Sequence, residues 1–422
     1  MEKKSTLANI FFNSFGTIFY YGCQWLTTVL IVRLTGFTDK GIYDLAMTFT
    51  AAFGILALFN TRQYQVSDVI GEYSDQTYIR SRLAAMGISF LICSAGVFIN
   101  GYTLYKCAVI LLYMLHKCGE AWIDVYHGID QKNGRMDYVC YSYIIRAVLM
   151  LLSFCGVLYL TKDLICAVGS MTLVTFLVAF FYDRHTAERF MEKEEKADKQ
   201  ALKKLMLAML PLVIVAVTNN LSISVPKYFL EKYYNDTVLG YYSSVATPSM
   251  VVQVGAQTIF IPLITPLADR LKENDKRGFI AILKKVGIAC LVLSVLALIA
   301  SALFGEWFLV LMFKEEIRPY VYLFVPIIIS TLMISINASL FPVCTVLREI
   351  KGQLAVGICG LLVSVAASVI CVKKYSMDGV VVSLLITLAV QIIIEICCIY
   401  RKMKKWKEAQ YGQDSGIDSL LQ

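Results

Sequence analysis

The chain has 422 residues, 58% of them hydrophobic and only 17% charged, with a formal net charge of +8. A water-soluble protein of this length needs more polar surface than that, so lipid is the solvent for most of the chain. The composition excludes a soluble enzyme, and the positive charge forms no separate basic patch of the kind a nucleic-acid surface needs.

In chain order, apolar stretches cover 10–32, 41–61, 82–100, 102–127, 138–160, 164–182, 204–225, 238–264, 279–304, 319–343, 353–372 and 378–400. Each approaches the about 20 residues a helix needs to cross a bilayer. None alternates with period two, which selects helices over a closed barrel. The predicted fold is therefore an all-α polytopic membrane protein, with about twelve transmembrane helices in two six-helix bundles and a cavity between them. The first stretch is too long for a signal peptide and no Ala-x-Ala site follows, so it reads as a retained helix.

An even number of crossings puts both termini on one side. With that side cytoplasmic, about 27 of the 39 Lys and Arg fall there and about 9 outside, leaving Lys106, Lys117 and Arg146 inside helices. The polar segment 183–203 divides the stretches six and six, giving an N-terminal lobe (1–182), a charged cytoplasmic linker, a C-terminal lobe (204–400) and a cytoplasmic tail (401–422). The tail starts with a basic cluster that suits anionic headgroups and ends in a segment expected to be disordered. One echo hints at duplication: Arg33 precedes Gly41-Ile42-Tyr43 by eight residues, as Lys232 precedes Gly240-Tyr241-Tyr242. The longest external connections, near 226–237 and 305–318, leave no room for a catalytic domain. The thirteen cysteines show no Cys-x-x-Cys pair and read as small core residues.

Polar residues inside the stretches are the candidates for function. In 102–127, Lys106, Tyr113, Lys117, Glu120, Asp124 and His127 follow at offsets of seven, four, three, four and three, which stack on one helix face. A mid-membrane charge costs at least about 2.5 kcal/mol, so the stripe should line water or protein. The alternative is that Lys106 and Asp124 snorkel to the two surfaces while Lys117 and Glu120 satisfy each other. Arg146, about 12 Å from its helix end at 1.5 Å per residue, cannot shed its proton and suits phosphate oxygens. A structural pair with Glu120 is the competing reading.

Further wet faces carry Gln24 beside Thr17 and Tyr20, Asn219 and Asn220, Gln253 and Gln257, and Gln391 with Glu395. Such groups hold sugar hydroxyls or join helix to helix. Pro211, Pro248, Pro262, Pro326 and Pro342 fall within the stretches and should kink them. There is no His-Glu-x-x-His, Gly-x-Ser-x-Gly or Walker pattern, and the three histidines are not spaced as a ligand set, so no enzyme or nucleotide hydrolysis is expected.

Four segments resemble the Wzx-type polysaccharide-biosynthesis flippases, the lipid-linked oligosaccharide branch of the superfamily that also holds multidrug exporters. They are Gly41-Ile42-Tyr43 through Asn60-x-Arg62-Gln63-Tyr64-Gln65-x-x-Asp68; Glu120 to Asp124 with Gly128-x-x-Gln131-x-x-x-Arg135-Met136; Leu210-Pro211-Leu212; and Pro226-Lys227-Tyr228 leading to Leu239-Gly240. The family often shows Arg at the position of Lys227. The resemblance implies a bacterial inner-membrane carrier of an undecaprenyl-pyrophosphate-linked oligosaccharide, acting beside membrane lipids, a polysaccharide polymerase and chain-length machinery. It needs no cofactor beyond a coupling H+ or Na+. Arg146, Lys117, Glu120, Asp124, Gln24, Arg62, Asn219, Asn220, Lys227, Gln253 and Gln257 are the expected cavity residues, with a cation-coupled multidrug exporter as the alternative.

Overall fold

Short polar side chains set where the helices begin. In the computed structural model, Ser5 caps α1 (Thr6–Leu34), Ser74 caps α4 (Asp75–Ile99), Thr103 caps α5 (Leu104–Lys132) and Asp163 caps α7 (Leu164–Val178), each accepting from an amide of the first turn. Asn235 caps α10 (Asp236–Ala246) and Asp275 caps α12 (Lys276–Phe313) in the same way. The structure describes residues 5–68, 71–191, 199–250, 253, 264–347 and 349–418, and no strand occurs among them.

Between these lie α2 (Phe37–Leu58), α3 (Thr61–Ser67), α6 (Met136–Thr161), the single turn α8 (Arg184–Ala187), α9 (Lys199–Tyr233) and α11 (Ile264–Lys272). A 3-10 segment (Glu315–Leu323) leads into α13 (Phe324–Val346), followed by α14 (Ile350–Ala367) and α15 (Lys373–Asp418), which is broken at Ser376. Left-handed Phe59 and Asn60 turn the chain out of α2. Arg82, fully buried on α4, donates to the carbonyls of Ala57 and Leu58, so a cation closes the carbonyl end of α2. A π turn (Ala179–Asp183) widens the end of α7.

Nine segments among the described residues are long and apolar enough to cross a membrane. One of them, Lys351–Trp406, takes in two predicted stretches. The chain is a multi-pass membrane protein. Its exposed leucines, isoleucines and phenylalanines, such as Leu91, Phe98, Leu152 and Phe181, face where acyl chains would lie. α5 carries too many charges to meet the same criterion, and 251–252 and 254–263, including Pro262, lie outside the described residues.

Three expectations are corrected. The connection near 226–237 is mostly helical, because α9 runs through Pro211 and Pro226 to Tyr233. The one near 305–318 is likewise taken up by α12 and the 3-10 segment. The tail begins inside a helix, since α15 continues past the basic cluster to Asp418.

The N-terminal helices pack together through α1 on α6, α2 on α5, and α7 on both α5 and α6. α9, α13, α14 and α15 form a second packed set, and α10 lies along α2. A Cβ on Gly41 would collide with the carbonyl of Asp236, and one on Gly240 with that of Phe37. The two echoed Gly-x-Tyr segments therefore meet each other backbone to backbone.

Asp68, the last residue of the quoted Asn60–Asp68 motif, organises the loop between α3 and α4. It accepts from the amides of Gly71, Glu72 and Tyr73 at 2.9, 2.8 and 3.1 Å and from the Tyr78 hydroxyl at 2.9 Å. Partial burial pushes its carboxyl up, but the Glu72 and Tyr73 amides and the Tyr78 hydroxyl outweigh that and hold it below its usual range. A depressed folded pKa gives stability that is present above the unfolded value, about 3.9, and lost as pH falls below it. Asp68→Asn should cost about 1–3 kcal/mol. Melting curves in detergent should show wild type losing stability on acidification below about pH 4, a step the variant lacks.

Candidate functional site

The polar stripe of α5 faces into the N-terminal helices, where it meets side chains from α1, α3, α4 and α6. Glu120 is the hub. It accepts from Lys117 Nζ at 2.7 Å and from the Tyr20 hydroxyl of α1, and Arg146 Nη1 of α6 lies 3.6 Å away. The Arg146 guanidinium is buried between two rings, its Cζ 4.3 Å from the centre of Tyr20 and 5.5 Å from that of Tyr143. Gln24 extends the arrangement by donating to the Tyr20 hydroxyl at 3.5 Å.

Asp124, one helical turn on, holds two more cations. Arg62 of α3 donates to it at 3.2 Å and to Gln131 at 3.0 Å, while Arg82 of α4 donates to its other oxygen at 2.6 Å. A cavity of about 170 Å³ opens among these groups, lined by Tyr20, Glu120, Asp124, His127, Tyr143 and Arg146.

Counting charge around this cavity decides its character. Within the ion-pair network of Glu120 and Asp124, Arg62, Arg82, Lys117 and Arg146 supply four positive charges against two negative ones, an excess of two before the acids Asp130 and Asp183 behind His127 are counted. Each carboxylate is shared by two cations, so neither Lys117 nor Arg146 is fully neutralised by Glu120. A low-dielectric site with uncompensated guanidinium attracts an anion of two or more charges far more strongly than water-exposed lysines would.

A second cavity of about 200 Å³ lies between α2, α9, α10 and α13, lined by Asp44, Lys227, Tyr242, Thr247, Gln253 and Ser330. Asp44 in it accepts from the buried Lys40 one turn earlier. Lys227 brings a further positive charge to the seam between the two sets of helices.

Most predicted site residues are thus brought together, and some are not. Lys117, Glu120, Asp124, Arg146, Gln24 and Arg62 share the first site; Lys227 and Gln253 share the second. Asn219 lines neither, because its oxygen accepts from Gln391 at 3.0 Å and Gln391 in turn accepts from Asn337 at 3.3 Å, an amide chain that joins α9, α15 and α13. Asn220 accepts from Ser224 at 3.4 Å on its own helix. Gln257 lies outside the described residues.

Lys106 does not snorkel to solvent. It bridges to Glu231 at 2.7 Å and Asp236 at 2.9 Å. Arg82 and Tyr143 were not foreseen: the former sits at the edge of its apolar stretch and looks like a surface cation, and the latter is one tyrosine among 25. Arg82 was recoverable only from the pairing of distant helices, since its carbonyl partners lie 24 and 25 positions away.

The profile of the family described as polysaccharide biosynthesis protein matches residues 6–271. The capsular polysaccharide biosynthesis protein CapF of Staphylococcus aureus is 23% identical over 296 residues, which cover 70% of this chain and 74% of CapF. Among solved structures, the inward-facing conformation of a multidrug resistance MATE family transporter of the MOP superfamily superposes with a TM-score of 0.72 at 10% identity. That match covers 92% of this chain and 95% of the transporter. The inward closed conformation of the lipid II flippase MurJ gives 0.69 at 12% identity, covering 93% and 89%. At such identities the structural likeness establishes the fold alone.

The Lys117 side chain is 25% exposed, and a hydrated site predicts that a water-borne reagent reaches it. In a background freed of native cysteines, Lys117→Cys should react with a membrane-impermeant methanethiosulfonate in inside-out vesicles. Complete protection there would mean a dry ion pair in place of a hydrated site.

Proposed function

The chain belongs to the polysaccharide biosynthesis protein family, and we propose that it is a flippase carrying undecaprenyl-pyrophosphate-linked oligosaccharide from the inner to the outer leaflet of the bacterial cytoplasmic membrane. The observation that carries this reading is the buried excess of two positive charges around Glu120 and Asp124. Drawing a diphosphate through a low-dielectric interior is prohibitive unless fixed cations replace its hydration. Arg146 is the group suited to that task, since its fork of donors fits phosphate oxygens and it stays charged at any physiological pH. The polyprenyl tail would remain in lipid, and the hydroxyls and amides of the seam cavity would meet the sugars.

The inter-helix contacts support alternating access. At the end away from the termini the two sets are tied by Thr38 to Thr237 at 2.9 Å, Phe37 on Tyr241 with ring centres 4.2 Å apart, and the Lys106 bridges. At the other end Lys204 meets Glu72 at 2.9 Å, and Leu205, Met209 and Val213 of α9 are buried in one apolar cluster with Tyr73, Tyr78 and Val125 of the first set. With the termini cytoplasmic, the ties at Thr38, Phe37 and Lys106 hold the outer end together. A carrier of organic cations would require the opposite balance, with carboxylates in excess. No group transfer is assigned, and the partners expected are the lipid-linked substrate, bilayer lipid and the polymerase machinery that receives the product.

Two outcomes test the reading. Arg146→Ala should insert normally yet lower surface glycan by about 30-fold or more, equivalent to about 2 kcal/mol of lost anion binding. Undiminished glycan, measured by immunoblot of whole cells, would remove Arg146 from the substrate path. A Thr38→Cys, Thr237→Cys pair should form a disulfide that stops export, with recovery on reduction.

A further inference from the structure

A buried acid pair behind the first cavity is left unused by this mechanism. Asp130, at the last turn of α5, and Asp183, on the π turn after α7, are 1% and 0% exposed. Neither oxygen of Asp130 has a hydrogen-bond partner, nor has Oδ2 of Asp183, while Oδ1 of Asp183 lies 3.0 Å from His127 Nε2. His127 itself lines the cavity beside Glu120 and Arg146.

The charged groups that face the pair are already occupied. Arg135 of the loop before α6 grips Asp137 at 2.9 and 2.8 Å, and Arg62 of α3 is held by Asp124 and Gln131. On α5 the facing group is His127 and on the π turn it is Asp183 itself. An ionised Asp130 would forgo hydration and feel the charge of Asp183, and a proton on it relieves both costs.

We propose that Asp130, buried near Asp183 with no hydrogen-bond partner of its own, holds one exchangeable proton and that Asp183 and His127 transmit its presence to the cavity. The proton comes from water at the end carrying the termini and adds to a carboxylate oxygen, with no other bond changed. Asp130 lies past residue 127, where the predicted crossing ends, and burial together with the neighbouring Asp183 pushes its carboxyl up to about 8.

The consequence is electrostatic. With both acids ionised they cancel the excess of two counted above; with one proton aboard, one positive charge remains. A diphosphate beside Arg146 therefore favours the protonated pair, and by linkage its binding draws a proton onto the protein. This last step rests on the diphosphate reading of the cavity; the proton site itself does not.

The test uses the purified full chain in detergent, with farnesyl pyrophosphate as the soluble probe. In weak buffer near pH 9, about one unit above the folded pKa of about 8, wild type should take up most of one proton per chain on binding the probe, read from a pH indicator. Asp130→Asn should bind the probe with no uptake, and Asp183→Asn serves as a second variant if the first folds poorly. Equal uptake in wild type and variants, or binding without uptake in wild type, overturns the proposal. Failure of the probe to bind would count against the diphosphate reading alone, and the pair is then judged by melting without ligand. A folded pKa raised to about 8 gives stability that is present at low pH and lost as pH rises from about 4 through 8. Wild type should show that decline and Asp130→Asn should not, and parallel curves overturn the site. Stabilisation of wild type by NaCl over choline chloride that vanishes in Asp130→Asn would replace the proton by sodium and equally overturn it.

Discussion

A guanidinium that cannot discharge, fixed in a membrane interior, is the constraint around which the N-terminal helices are arranged. Arg146 is 3% exposed, and its burial is tolerable only because Tyr20 and Tyr143 cover its faces and Glu120 lies near its edge. Glu120 cannot fully neutralise it while also serving Lys117, and Asp124 is divided in the same way between Arg62 and Arg82. In the proposed function, the shortage of carboxylate is what turns a structural ion-pair network into an anion-binding site. Had each cation its own acid, the same residues would be only a polar core.

The seam between the two sets of helices rests on a different kind of contact. At Gly41 and Gly240 main chain meets main chain, with no side chain to adapt. Around that contact sit interactions that a modest rearrangement would break: a hydroxyl pair, a tilted ring pair and a lysine shared by two acids. A close but easily parted junction is what a rocking carrier requires at the end it must later open.

Much of this was legible in the sequence and some was not, for identifiable reasons. The apolar stretches announce themselves because hydrocarbon forces every backbone group into local hydrogen bonds, so length and hydropathy suffice. The face of α5 was readable from its offsets, and the depth of Arg146 from its distance to the helix end. Spacing left Asn219 open between a cavity wall and a contact between neighbouring helices, and packing puts it in the latter, with Gln391 and Asn337. The helical extension of α9 through Pro226 and of α15 beyond the bilayer escaped because polar composition there resembles a loop. Arg82 and the partners of Lys106 lie far away in sequence, and only tertiary packing brings them together.

The widened turn at Ala179–Asp183 has a consequence for register. One extra residue per turn rotates everything beyond it by about 100° relative to a regular helix. In an unbroken α7 the apolar phase of residues 164–178 would carry past the end of the segment, and Asp183 would swing away from the imidazole it now meets. The irregularity thus works as a phase shifter, letting one rod present hydrocarbon to its neighbours along most of its length and an acid to the interior at its tip.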